Sequence, residues 1–129
     1  MSNKDEILEL LKGFASKDRI DSFFMKNTTP DFLFIRPSGN PINAKGLADM
    51  YSSGDIELET SEITKVHRFE FYGENTAICV FTLDSKFIYK GTHNDDLTTV
   101  TSIFKKLDSV WKISWMQRSS GQSDLSLWN

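Results

Sequence analysis

The sequence predicts an α+β protein in which helices pack on one face of a curved antiparallel sheet. Apolar residues recur with helical spacing within the first 52 residues, whereas β-branched and aromatic residues in strand-like order dominate from about residue 56 onward. Short turn sequences divide that second part into consecutive strands. Because a curved sheet with helices on its concave side encloses a pocket, we expect a ligand site inside the molecule.

Three helices are predicted ahead of the sheet. The first has an apolar stripe with helical spacing, formed by Ile7, Leu10, Leu11 and Phe14. Ser16 can cap a second, shorter helix, whose apolar residues are Ile20, Phe23 and Phe24. This helix should end at residues 28–30, because Pro30 disfavours the helical conformation of the residue before it. Asn43 caps a third helix over residues 44–52.

Five strands are predicted from alternation and from β-branched or aromatic content. They cover residues 31–37, 56–72, 76–83 with a pattern that allows continuation to Tyr89 and Lys90, 97–107 and 110–119. Residues 73–75 and 107–109 have the composition of tight turns. The last four strands should therefore form a meander of long antiparallel strands.

Residues 91–96 (GTHNDD) combine residue types that bind metals and transfer protons. A site of two histidines and one carboxylate would require His67, His93 and either Asp95 or Asp96. Nothing in the sequence fixes these side chains near each other, and glycine, asparagine and aspartate are also the usual turn residues. We therefore predict a hairpin loop at the rim of the sheet, and no metal site.

Length and composition limit the classes of protein that remain. A chain of 129 residues fits one domain, with a core over about residues 5–121 and a polar tail over 122–129 that could dock on the body or on a partner. The 15 basic and 18 acidic residues give a net charge of −3, which argues against a nucleic-acid-binding protein. The single cysteine, Cys79, cannot form an internal disulfide, and no apolar run reaches transmembrane length. We expect a cytoplasmic protein without membrane contact.

Several segments resemble the nuclear transport factor 2-like superfamily, and in particular its SnoaL-like branch. The resemblance rests on the turn at residues 37–39 (PSG), on residues 72–83 (YGENTAICVFTL) and on the hairpin at 103–121 (IFKKLDSVWKISWMQRSSG). It implies a cone-shaped, curved antiparallel sheet wrapped around three N-terminal helices, the cystatin-like fold. It also implies a homodimer formed through the convex sheet face, which should carry Ser114, Met116 and Arg118.

A shorter resemblance concerns the end of the last strand. The sequence WMQRSSG, residues 115–121, is similar to part of the association domain of calcium/calmodulin-dependent kinase II, which forms ring-shaped oligomers. One scaffold of this superfamily hosts isomerases, dehydratases, cyclases and non-catalytic modules, so the resemblance implies a fold more than a function.

The predicted pocket should be mainly aromatic and bind a small organic molecule. Strict alternation along the last strand puts Trp115 and Gln117 on the helix-facing side with Trp111. Arg36 shares a strand face with Phe34; inside the pocket it would bind a carboxylate or phosphate, although its place before Pro37 also suits a solvated charge. The candidate ligand-binding residues are Phe24, Phe34, Arg36, Tyr89, Trp115 and Gln117.

His67 is the candidate catalytic residue. It shares the parity of Phe69 and Phe71 on the long strand, so alternation points it toward the pocket, where a neutral histidine could act as acid or base. The alternative is a partly buried histidine hydrogen-bonded to a neighbour. Two functions therefore stay open: a binding module without catalysis, and a small isomerase, dehydratase or cyclase. Neither requires a cofactor, since no P-loop or dinucleotide glycine pattern is present.

Overall fold

The computed structural model describes residues 2–16, 22–122 and 124–128. Its helices are α1 (Asn3–Ala15), α2 (Ser22–Lys26), α3 (Ala44–Ser52) and a short 3₁₀ helix (Leu125–Trp128). Its strands are β1 (Thr28–Ile35), β2 (Pro41–Ile42), β3 (Ile56–Phe71), β4 (Thr76–Tyr89), β5 (Thr92–Leu107) and β6 (Val110–Arg118). None of the described helices combines the length and apolar character needed to cross a membrane.

All six strands belong to one sheet, in the order β2-β1-β6-β5-β4-β3. Each strand from β3 to β6 pairs antiparallel with the next, which confirms the predicted meander. β1 is the exception to antiparallel order, because it lies parallel to β6. The sheet thus brings the first long strand of the chain beside the last.

The helices pack on one side of the sheet, as predicted, and this side is called the inner face. Phe14 of α1 joins the layers, because its ring lies 6.3 Å from the ring of Phe24 in α2 and 6.5 Å from that of Phe81 in β4. The buried inner face of the sheet is formed mainly by Ala77, Cys79, Phe81, Leu83, Val100, Phe104, Ile113 and Met116. The opposite, outer face carries side chains such as Thr82 and Thr99. The predicted α+β class is therefore confirmed.

The helices differ only in detail from the prediction. α1 is capped by Ser2, whose hydroxyl accepts a hydrogen bond from the Asp5 amide at 3.1 Å. Gly13 lets α1 and α2 approach closely, since a Cβ atom at this position would lie 2.9 Å from the ring of Phe23. α2 ends at Lys26, and Thr28 already begins β1, so this strand starts earlier than predicted. Ile20, predicted for the second helix, lies outside the described residues.

The prediction of a hairpin loop over residues 91–96 is wrong. Lys90 and Gly91 form a two-residue turn with φ of 47° and 84°, and Thr92 already pairs with Tyr89 across the hairpin. His93, Asn94, Asp95 and Asp96 therefore lie on β5. Because the turn is complete at Gly91, the polar residues that follow it pair with β4 as part of β5, although their composition is typical of a loop.

Extra residues interrupt the alternation of two strands. In β6, Ile113 pairs with Phe104 and Trp115 pairs with Ile103, so Ser114 is an unmatched residue, a β-bulge. In β3, the register shifts three times and leaves Glu59, Thr64 and His67 unmatched. Each bulge moves the following side chains to the other face of the sheet. This geometry decides which residues reach the interior.

Candidate functional site

A cavity of about 510 Å³ lies between the helices and the inner face of the sheet. Its wall is apolar where the helices meet the sheet, with the side chains of Phe14, Phe24, Phe34, Leu47, Tyr51 and Leu83. Polar side chains also line it, namely Arg36, Ser38, Asn40, Ser61, Ser85, Asp96 and Arg118. The volume falls within the range of small-molecule sites, which are mostly apolar with a few fixed polar groups.

Arg118 is the central polar group of the cavity. Its Nε donates a hydrogen bond to Thr98 Oγ1 at 3.0 Å, and its Nη2 donates to Ser85 Oγ at 2.7 Å. The guanidinium carbon lies 5.4 Å from the centre of the Phe87 ring, a cation–π arrangement. The side chain is only 14% exposed, and this burial lowers the pKa of Arg118. Arginine nevertheless stays charged at neutral pH.

Asp96 supplies a nearby negative charge. Its Oδ2 lies 3.7 Å from Arg118 Nη2, which is close enough for an ion pair and too long for a hydrogen bond. The Asp96 charge raises the pKa of Arg118 and so opposes the effect of burial. With 37% of its side chain exposed, Asp96 is also in contact with water.

Three adjacent strands place this cluster. Ser85 of β4 pairs directly with Asp96 of β5, and Thr98 follows two residues later on the same face. Arg118 lies at the end of β6, opposite Val100 of β5, whose side chain is fully buried on the inner face. Because the polar groups lie on paired strands and not on loops, the sheet holds their positions.

Four of the predicted ligand-binding residues line the cavity: Phe24, Phe34, Arg36 and Tyr89. Arg36 lies at the edge of the cavity beside the turn after β1, where its Nε donates to the Asn40 carbonyl oxygen at 3.3 Å. Their role in binding stays a prediction.

Trp115 and Gln117 do not line the cavity, and their predicted position is wrong. The bulge at Ser114 turns both side chains to the outer face, where Trp115 is half-buried and Gln117 exposed. The same bulge brings Met116 and Arg118 to the inner face, although strict alternation places them on the convex side. Sequence reasoning therefore missed Arg118 because a bulge leaves no reliable mark in one sequence. It missed Asp96 because the hairpin turn was placed too late.

His67 also lies on the outer face, so its predicted orientation toward the cavity is wrong. As an unmatched bulge residue of β3, it leaves the parity of Phe69 and Phe71. Its Nε2 lies 2.5 Å from Thr82 Oγ1, and Thr82 donates its own hydrogen to Gln122 Oε1 at 3.0 Å. Nε2 is therefore the donor to Thr82, which leaves Nδ1 unprotonated.

The C-terminal segment covers His67. Trp128 stacks on the imidazole with 4.2 Å between ring centres and 12° between planes. Within the described part of the chain, the buried Nδ1 has no hydrogen-bond partner. Burial lowers the pKa of His67, and the positive charge of Lys65 lowers it further. His67 is thus a neutral, packed histidine of the sheet's outer face.

The cysteine thiol and the possible metal ligands do not form a functional site among the described residues. Cys79 is fully buried in the core, and burial raises the pKa of its thiol to about 11, so the reactive thiolate is scarce at neutral pH. Across residues 2–16, 22–122 and 124–128, no three His, Cys, Asp or Glu side chains gather in a geometry that could hold a metal ion. His93 lies 3.5 Å from Glu59 on the exposed part of the sheet.

Comparisons with known proteins identify the family. Residues 2–129 match a family model described as "Protein of unknown function (DUF3804)". A similar solved structure is an NTF2-like protein of unknown function from Prochlorococcus sp. NATL2A, which is 69% identical with a TM-score of 0.90 and covers 99% of this chain and 100% of that one. No curated protein matches the sequence.

More distant structures share the fold alone. A putative Ca/calmodulin-dependent kinase II association domain from Exiguobacterium sibiricum is 18% identical with a TM-score of 0.79, covering 96% of this chain and 98% of that one. A type 2 hexachlorocyclohexane dehydrochlorinase is 13% identical with a TM-score of 0.78, covering 92% and 85% respectively. The predicted resemblance to the nuclear transport factor 2-like superfamily is confirmed, and this chain belongs to the DUF3804 family of NTF2-like proteins.

Proposed function

We propose that this protein binds a small organic molecule in the cavity between its helices and sheet, without catalysing a reaction. The observation that carries the proposal is the combination of an apolar wall with one fixed polar cluster at Arg118. Apolar walls supply the free energy of binding, and a few oriented polar groups select the ligand. Proteins of this fold generally bind small molecules, which agrees with the proposal.

The enzymatic alternative required His67 to act as acid or base on a molecule in the cavity. His67 lies on the opposite face of the sheet, bonded to Thr82 and covered by Trp128. General acid–base catalysis needs a group within hydrogen-bond reach of the substrate, and a molecule in the cavity would be separated from His67 by the sheet. This separation favours a binding module.

A cavity-filling pair of variants tests the proposal. Met50 lines the cavity, whereas Met25 is 56% exposed and is not part of its wall. Thermal shift measurements with a panel of small aromatic and aliphatic compounds should find compounds that stabilise the wild type and M25F. The same compounds should stabilise M50F much less, because the phenyl ring takes part of the space. Equal shifts in both variants would place binding elsewhere, and a panel without any stabilising compound would contradict the proposal.

We propose, in addition, that two copies associate through the outer face of the sheet. Apolar side chains cluster there on four neighbouring strands, namely the exposed Leu33 and the half-buried Ile35, Ile78, Val80, Ile103 and Trp115. An apolar sheet face of this kind favours a partner with the same surface. Met116 and Arg118, predicted for this face, lie on the inner face instead, so the proposed contact depends on a different set of residues.

Light scattering tests the dimer directly. The wild type should have the mass of two chains at micromolar concentration, and I103E should have the mass of one, because a charge cannot be buried there without a partner. D49N, a change at an exposed ion pair with Lys45 on α3, is the control and should remain dimeric. A monomeric wild type at micromolar concentration would contradict this part of the proposal.

A further inference from the structure

The guanidinium of Arg118 has hydrogen-bond donors that the protein does not use. Nε and Nη2 are held by Thr98 and Ser85, which fixes the plane of the group. Nη1 donates to none of the described residues, although the side chain is only 14% exposed. Among the described residues, the fully buried side-chain nitrogen or oxygen without a partner is His67 Nδ1, so Arg118 Nη1 reaches water and can donate to a ligand. The fixed plane and the free donors together form one half of a bidentate site.

The internal counter-ion of Arg118 is loosely bound. Asp96 Oδ2 is 3.7 Å from Nη2, without a hydrogen bond, and Asp96 keeps 37% of its side chain in contact with water. Its carboxylate can therefore turn to solvent at low cost when another acceptor arrives. A tightly bound, buried carboxylate would instead block the site.

The charges around the cavity indicate the charge of the ligand. Among the described residues that line it, Arg36 and Arg118 are positive and Asp96 is negative, so these three side chains contribute a net charge of +1. A ligand with a single negative charge would balance this excess. A doubly charged group, such as a phosphate monoester, would add an unbalanced negative charge next to Asp96.

We infer that the ligand of the cavity is a small monocarboxylic acid with an apolar body, whose carboxylate binds Arg118 in place of Asp96. The inference rests on the proposed function and specifies its ligand class. Planar carboxylates match the paired donors of a guanidinium better than other anions of one charge. The apolar body then packs against Phe24, Phe34 and Leu83 in the aromatic part of the cavity.

Four compounds that share a phenylpropyl group and differ in their head group test this inference. We would measure binding of 3-phenylpropanoate, 3-phenylpropanol, 3-phenylpropylamine and 3-phenylpropyl phosphate by calorimetry at pH 7.5. The acid should bind at least about tenfold more tightly than the alcohol, as expected for a charge-assisted pair of hydrogen bonds. The amine should bind most weakly. Equal binding of acid and alcohol, or tighter binding of the phosphate, would overturn the inference and leave the proposed function intact.

Two substitutions should change the affinity for the acid in opposite directions, and each has a matched control. R118Q should weaken binding of the acid by about tenfold or more and leave the alcohol nearly unchanged. D96N should strengthen binding of the acid several-fold, because the competing carboxylate is lost. The controls are R68Q and D95N, at side chains that are 63% and 70% exposed and not part of the cavity wall. Weaker binding in D96N would overturn the assignment even if R118Q failed to fold. Absence of binding by both acid and alcohol would contradict the proposed function itself.

Discussion

The indole of Trp128 stacks on the imidazole of His67, at 4.2 Å between ring centres. This contact joins the last described residues of the chain to the middle of β3. Gln122 strengthens the connection, because its side chain bridges Thr82 and Thr99 on the outer face through hydrogen bonds of 3.0 and 2.9 Å. The C-terminal segment, for which the sequence allowed docking on the body or on a partner, therefore lies on the body of the same chain.

Removal of the indole should raise the pKa of His67. In W128A, water reaches the imidazole and the burial that lowers its pKa is reduced, so the value should move toward about 6.5. Proton NMR of the imidazole signals against pH measures this change, with H67Q used to assign the signal. L127A is the control, since Leu127 is 81% exposed. An unchanged pKa in W128A would show that Trp128 does not bury His67.

His67 should reduce the stability of the folded protein in acid. Its pKa is lowered in the folded state, so the unfolded chain binds the proton first as the pH falls below about 6.5. Above that pH both states carry the neutral ring, and this effect disappears. Urea unfolding at pH 7.5 and pH 5.5 should therefore show a larger loss of stability on acidification for the wild type than for H67Q. Equal losses in both proteins would contradict the lowered pKa.

Met116 should be one of the most sensitive positions of the last strand. Its side chain is fully buried because the bulge at Ser114 turns it inward. M116A should lower the free energy of unfolding by about 2–5 kcal/mol, the usual effect of truncating a buried methionine. M25A, at a 56% exposed position, should change it by no more than about 0.5 kcal/mol. Similar small effects in both variants would show that Met116 faces outward.

Cys79 should resist thiol reagents in the folded protein. It is fully buried and its thiol has a pKa of about 11. At pH 8 only about 0.1% of such a thiol is ionised, and the reagent also lacks access to it. Ellman's reagent should therefore react with the native protein far more slowly than with the protein in denaturant, where one thiol per chain reacts. Comparable rates in both conditions would contradict a buried thiol.

Local signals were sufficient to predict most of the fold. The helical stripe of α1, the cap at Asn43 and the turn at residues 73–75 depend on nearby residues, and the structure contains each of these elements. The apolar run over residues 76–83 also identified β4, which continues to Tyr89 as the pattern allowed. The parallel pairing of β1 with β6 could not be derived in this way, since it joins segments about 80 residues apart.

The cavity was predicted less completely, for a specific physical reason. Phe24 lies on a helix and Tyr89 on β4, whose pairing with β5 is regular, while Phe34 and Arg36 were assigned after the register shift that β1 has between Thr28 and Leu33; all four reach the cavity wall. Trp115, Gln117 and His67 were assigned by counting along strands in which an extra residue reverses the alternation. An unpaired residue depends on the neighbouring strand as much as on its own sequence, so counting within one strand cannot reveal it.

The extra residue at Ser114 gives this fold a simple way to change its chemistry. Deleting Ser114 would keep every side chain on its present face, because Ile113 and Trp115 already pair with consecutive residues of β5. Pairing Ser114 within the ladder would instead exchange every inward and outward side chain from Trp115 to the end of the strand. The interior would lose its cation at Arg118 and gain an amide from Gln117. The presence or absence of this bulge therefore decides which polar side chain of the last strand faces the interior, so related chains are better compared by where this strand carries a bulge than by residue type alone.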